Sequence, residues 1–238
     1  NVTLTGHVTL GEENHLFPNV VIGAEPQALS YRGTPTRVEI GLTFTRSLRA
    51  ILRQDPDVIM VGEIRDAETA DMAVKSALTG HLVLSTLHTN SAIGSVVRLV
   101  NMGVEPFLLN SCLMAVIGQR LVRKLCPRCK QAYRPSAKLA EPLGLVDERG
   151  QALEIAKPVG CPSCVDSGYR GREVIAEVLP LTPEIRELIL KRSPERQIGE
   201  AAKAAGMQTL RDHGIQKVRE QITSLDEVYR TTVGEVVE

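Results

Sequence analysis

Cys126 and Cys129 stand as CPRC, and Cys161 and Cys164 as CPSC, with thirty-one residues between the pairs. Two C-x-x-C knuckles offer four thiolates, the donor set of a tetrahedral zinc site. Four protein ligands leave no open coordination position, so such a site is structural rather than catalytic. The alternatives are an iron–sulfur cluster or a redox pair. A redox C-x-x-C opens a helix in a thioredoxin-like unit, whereas CPRCK is expected to end one. No secretion signal precedes the cysteines, which favours ligation over disulfides. The Pro-rich and polar stretch at about 130–160 has little apolar content with which to order itself. The fifth cysteine, Cys112, lies on an apolar helical pattern and reads as core.

A second set of reactive side chains sits on strand ends. DVIMVG is a short continuous apolar run, the pattern of a strand buried on both faces of a parallel sheet. HLVLSTL is another. In open α/β sheets, ligands bind beyond the carboxyl ends of the strands. Glu63 leaves the first strand there and His88 the second. Asp57 begins its strand, roughly 20 Å from Glu63 at the rise of an extended chain, so the two carboxylates cannot share a site. His81 is separated from His88 in the same way. Read alone, Glu63 is either a solvated carboxylate or an acid aimed into the crevice.

The elements that must hold these residues alternate. Thr43 or Thr45 caps a helical stripe of Leu48, Ile51 and Leu52, which ends at RQDP. Asp66 caps a second helix, closed by Gly80. NSAIGSVVRLVNMG is a third, stopped by Gly103. Strand, helix, strand, helix means an α/β domain with a mainly parallel sheet. GYRGREVIAEVLPL suggests a strand pair. After it the pattern is helical, with Pro183 following Thr182 and a capping box at Ser224 and Glu227. Hydrophobic residues make up 43% and charged residues 24% of the 238, ordinary for a soluble globular chain. Net charge is zero, and aromatic residues are few. Nucleic-acid binding and a membrane span are therefore not expected. Asn1 in place of an initiator methionine implies that the chain begins inside a longer reading frame.

The stretch LRAILRQDPDVIMVGEIRDAETADMAVKSALTGHLVLSTLHTNSA resembles the ATPases of type II secretion and type IV pilus assembly. Its DVIMVGEIRD is similar to that family's Walker B region, and GHLVLSTLHTN to its histidine box. AGMQTLRDHGIQKVREQITSLDEVYRTT resembles the family's carboxyl-terminal end. The resemblance covers residues 40–238. It implies a P-loop-NTPase-like (RecA-like) α/β fold, ATP and Mg as ligands, and Glu63 as the base that orients water onto the γ-phosphate. His88, with Thr89 and Asn90 beside it, becomes a candidate nucleotide sensor. Arg65 and Arg98 are either surface ion pairs or contacts to a neighbouring subunit. The family carries a tetracysteine metal site where Cys126, Cys129, Cys161 and Cys164 stand. It also implies a hexameric homo-oligomer, partners at an inner-membrane platform or secretion system, and a cytoplasmic, membrane-peripheral location.

One part is missing from these residues. The 238 contain no G-x-x-x-x-G-K-[ST], and the first lysine is Lys75. A phosphate cradle of the P-loop kind is thus absent. In its place, Leu4, Leu10, Leu16 and Ile22 recur every six residues, with Gly11 and Gly23 following two of them. This is the hexapeptide pattern of a left-handed β-helix. Residues 1–41 resemble the UDP-N-acetylglucosamine acyltransferases of lipid A synthesis, although His7 and His15 do not match the catalytic position. Ile40–Gly41 fits both patterns and is the expected seam. The expected segments are a β-helix fragment at 1–41, an ATPase core at 42–125, a zinc module at 126–178 and a helical region at 179–238. The functions to be weighed are a motor ATPase represented by its carboxyl-terminal part, a non-hydrolysing zinc-stapled assembly module, and an acyltransferase fragment.

Overall fold

In a computed structural model, the protein is described over residues 56–232, together with the backbone of four short strands near its start. Those strands are β1 (Thr3–Leu4), β2 (Val8–Leu10), β3 (Val21–Ile22) and β4 (Val38–Ile40). β1 pairs with β3 in parallel, setting Leu4 opposite Ile22. β2 pairs in parallel with β4, setting Leu10 opposite Ile40. The first pairing joins residues eighteen apart, which is three hexapeptides. The helix expected at 43–52, the histidines at 7 and 15, and the seam's packing lie outside the described residues.

The chain divides into two compact units, residues 1–60 with 71–84, and residues 61–70 with 85–238. β5 (Val58–Val61) pairs with β6 (Leu82–Ser85). Bonds from Leu82 N to Asp57 O and from Ile64 N to Thr86 O ascend together along both strands, so the pair is parallel. The link between them is α1 (Ala67–Leu78). Asp66 Oδ1 accepts from Thr69 N at 2.8 Å, and Gly80 at φ +102° lets the chain leave the helix.

The second unit begins its helices with α2 (Ala92–Asn101) and α3 (Pro106–Cys112). Ser91 Oγ caps α2 by accepting from Gly94 N at 2.9 Å. β7 (Val116–Leu125) then pairs antiparallel with β10 (Tyr169–Leu179). Between these strands lie β8 (Gln131–Tyr133), the short helix α4 (Ala137–Ala140) and β9 (Ile155–Lys157), with β8 and β9 antiparallel. The chain ends in α5 (Pro183–Leu190), α6 (Glu195–Ala204), α7 (Leu210–Arg219) and α8 (Leu225–Thr232). Ile185, Ile189, Ile198 and Ala202 bury one core with Ala92 and Val96. Ile215, Val218 and Val228 bury another with Leu145 and Ile155.

Four expectations are corrected here. β5 is not buried on both faces: Ile59 and Val61 are inside, but Val58 is 53% and Met60 75% exposed. The described sheets are two-stranded, and the longest pair is antiparallel rather than part of one parallel sheet. The chain leaves β7 at Leu125 and enters β10 at Tyr169 directly opposite, so the two strands run antiparallel. GYRGREVIAEVLPL is one long strand with an irregularity between Tyr169 and Arg172, not a strand pair. CPRCK follows a strand, not a helix, since β7 runs to Leu125 with Ile117 and Leu121 on its exposed face.

Candidate functional site

Three side chains meet where β5 ends. Thr86 ties the two strand ends, its Oγ1 donating to Gly62 O at 2.8 Å and its carbonyl accepting from Ile64 N at 2.9 Å. This places Glu63 beside His88. Glu63 Oε2 lies 3.1 Å from His88 Nε2 and accepts from Arg65 Nε at 2.6 Å. The site is open to solvent, with the His88 side chain 84% and the Glu63 side chain 33% exposed. The hydrogen bond from Arg65 holds the Glu63 carboxyl below the usual carboxylate range, opposed by partial desolvation and assisted by His88. Glu63 is thus ionised at neutral pH and accepts hydrogen bonds only.

Sequence placed Thr89 and Asn90 with His88, but their side chains are engaged elsewhere. Thr89 Oγ1 lies 2.7 Å from Ser95 Oγ. Asn90 Oδ1 accepts from Arg120 at 3.2 Å. Arg65 pairs with Glu63 inside the chain, and Arg98 is exposed on α2. His81 Nδ1 lies 3.0 Å from Ser76 O and closes the end of α1. Thr86 escaped the reading of motifs. Its only sequence signal was a hydroxyl at the strand end two residues before His88.

The four cysteines do converge. Their sulfurs all lie within 4.8 Å of one another. Cys126 and Cys161 are 3.9 Å apart, Cys129 and Cys164 3.8 Å, and Cys161 and Cys164 3.7 Å. A disulfide would bring two sulfurs to about 2.05 Å. A tetrahedron with metal–sulfur bonds of about 2.3 Å has edges of about 3.8 Å. The cluster therefore fits one metal ion held by four thiolates. Backbone N–H groups of Cys161 and Gly168 donate to Cys164 Sγ, each at 3.3 Å. Burial pushes the Cys164 thiol up, yet these hydrogen bonds win and hold it at about 7. Burial pushes Cys129 up to about 11. Glycine is needed at Gly168, at φ +74°, because a Cβ there would meet Pro158 Cβ at 2.5 Å. Cys112 stands apart, its Sγ 3.8 Å from Leu109 O.

Residues 28–230 match a family described as Type II/IV secretion system protein. The chain belongs to that family. The match begins before the expected seam at Ile40–Gly41. The type II secretion system protein E of Pseudomonas aeruginosa is 46% identical over 233 residues, which cover 97% of this chain and 46% of that protein. The type IV pilus assembly ATPase PilB of Thermus thermophilus is 47% identical over 200 residues, covering 84% of this chain and 22% of that protein. This secretion-family chain spans less than half the length of those two relatives. Its α/β fold is similar to that of the pilus retraction motor PilT crystallised with bound ADP, with a TM-score of 0.56 and 24% identity over 96% of this chain and 51% of that one. The Legionella pneumophila ATPase DotB gives a TM-score of 0.50 at 20% identity, covering 82% of this chain and 45% of that one. Among the described residues, no helix of this family member is long and apolar enough to cross a membrane.

Proposed function

We propose that this chain is the carboxyl-terminal part of a motor ATPase that drives type II secretion or type IV pilus assembly. One observation carries the reading: Glu63, at the end of a parallel strand, is ionised and held between Arg65 and His88 on a single carboxylate oxygen. Phosphoryl transfer asks for a placed acceptor and positive charge more than for a strong base. Glu63 would accept a hydrogen bond from the attacking water and orient it in line with the γ-phosphate of Mg·ATP. His88, exposed and paired with Glu63 through Nε2, would contact that phosphate, and Arg65 keeps the carboxylate charged. Magnesium would neutralise charge on the phosphates when bound. The phosphate cradle itself comes from residues outside these 238, which lack the glycine-rich loop. The cysteine cluster is a structural zinc site that staples the β8–β9 segment. The chain works in a homo-oligomeric ring at the cytoplasmic face of the inner membrane, where exposed Arg98 is available to a neighbouring subunit.

The missing loop also favours a second reading, a zinc-stapled assembly module without turnover. Two measurements decide. Calorimetric titration of the chain with Mg·ATP should give no micromolar binding. A protein joining this chain to the amino-terminal part of the Pseudomonas relative should hydrolyse ATP. Glu63→Gln should lower that turnover about 10²–10⁴-fold without weakening nucleotide binding. Tight binding by the chain alone would refute the split site. Full turnover by Glu63→Gln would refute the role of Glu63, and no turnover in the joined protein would leave the second reading standing.

A further inference from the structure

Residues 106–140 contain seven Lys or Arg and no Asp or Glu, in a chain whose net charge is zero. Two of the seven, Lys124 and Lys130, line one cleft. A cleft of about 540 Å³ opens beside the cysteine cluster. Leu125 and Ile222 form its apolar floor, joined by a bond from Leu125 N to Ile222 O at 2.8 Å. Lys124, Lys130 and Arg170 stand around it, against one acid, Glu220. Lys217, which does not line the cleft, already pairs with Glu220 at 2.9 Å. Lys124 pairs with Glu173 at a looser 3.4 Å. Lys130 and Arg170 have no acidic partner among the described residues: Lys130 Nζ donates to Gln221 O at 3.1 Å, and Arg170 donates to Ser163 Oγ at 3.3 Å. Those partners are neutral oxygens, which leave the two charges uncancelled.

From this we infer that the cleft is a docking site for an acidic peptide segment of a partner protein, one carrying carboxylates on either side of an aliphatic side chain. The aliphatic group would cover Leu125 and Ile222, and the carboxylates would meet Lys130 and Arg170. A lone phosphate would leave that floor uncovered and the spread of cations only partly met. Volume in this range suits a few side chains of a peptide, and charge complementarity of this kind supplies specificity and a fast on-rate. The proposal stands independently of the role given to Glu63.

The test is fluorescence anisotropy of the full chain with a short labelled peptide alternating glutamate and leucine. Saturable binding should weaken as salt rises. Replacing the peptide's glutamates by glutamine should abolish it. Lys130→Glu and Arg170→Glu should each weaken it about tenfold or more while the melting temperature holds. Lys203→Glu, on α6, should leave it unchanged. Equal binding of the glutamine peptide, or indifference to both reversals, would overturn the proposal. So would variant-sensitive binding of phosphatidylglycerol vesicles or inorganic phosphate with the peptide silent, since the site would then serve a membrane or a phosphate.

Discussion

Glu227 accepts three hydrogen bonds from Arg123, from the backbone N at 3.0 Å, Nε at 3.0 Å and Nη2 at 2.7 Å. Its side chain is fully buried, and Arg230 adds two more bonds from the next turn of α8. The carboxylate thereby fastens α8 to β7. The sequence suggested Glu227 as the returning half of a capping box. Instead, Ser224 caps Glu227 N at 3.2 Å, while the carboxylate goes to the two arginines.

This pair sets an acid limit. Burial alone would push the Glu227 carboxyl up, but the bonds from Arg230 and Arg123 hold it at about 2, below the ordinary 4.5. A depressed carboxyl contributes stability that is complete above the unfolded value and is lost as pH falls through the folded one. Glu227→Gln should cost roughly 2–3 kcal/mol at neutral pH. The melting-temperature gap to the parent should be flat above about pH 5 and close between 4.5 and 2. A gap that is unchanged at pH 2 would contradict this.

The cysteine cluster predicts about one zinc per chain by metal analysis. Cys129→Ser or Cys161→Ser should lower that content sharply and make residues 126–168 sensitive to protease. Cys112→Ser should leave zinc at the parent value. Metal content below about half an equivalent would refute the four-thiolate site.

Glu177 is the second buried carboxylate whose partners are remote. Oε1 accepts from Ala92 N at 2.6 Å and Oε2 from Leu210 N at 3.1 Å, so one side chain closes the starts of α2 and α7. A negative charge at two helix N-termini is favoured by both dipoles. Gly118 makes room for it, since a Cβ there would meet Glu177 Cγ at 2.8 Å and Ala92 N at 3.2 Å. Glu177→Gln should cost about 1–3 kcal/mol, and Gly118→Ala about 1–3 kcal/mol by overpacking. Urea denaturation of each variant measures this. A Gly118→Ala midpoint equal to the parent's would show that the close approach relaxes freely.

Much of this architecture is local and was legible. Asp66 and Thr182 cap helices because a carboxylate or hydroxyl reaches only the next turn. C-x-x-C spacing makes a metal knuckle for the same reason of reach, and the strand-end position of Glu63 and His88 followed from chain direction. Other features depend on which elements pack together. The exposed faces of β5 and β6 were misread because an apolar run carries no record of what covers it. Ser91 donates to Glu195, and Asn90 accepts from Arg120, contacts that no periodicity encodes. By itself, then, the sequence determined the family, the knuckles, the caps and the two strand-end residues, all set by short-range geometry. Only the tertiary structure decided that Glu177 and Glu227 bury their charge among distant helices and strands. Desolvation and partner geometry are properties of the packed chain, not of any segment.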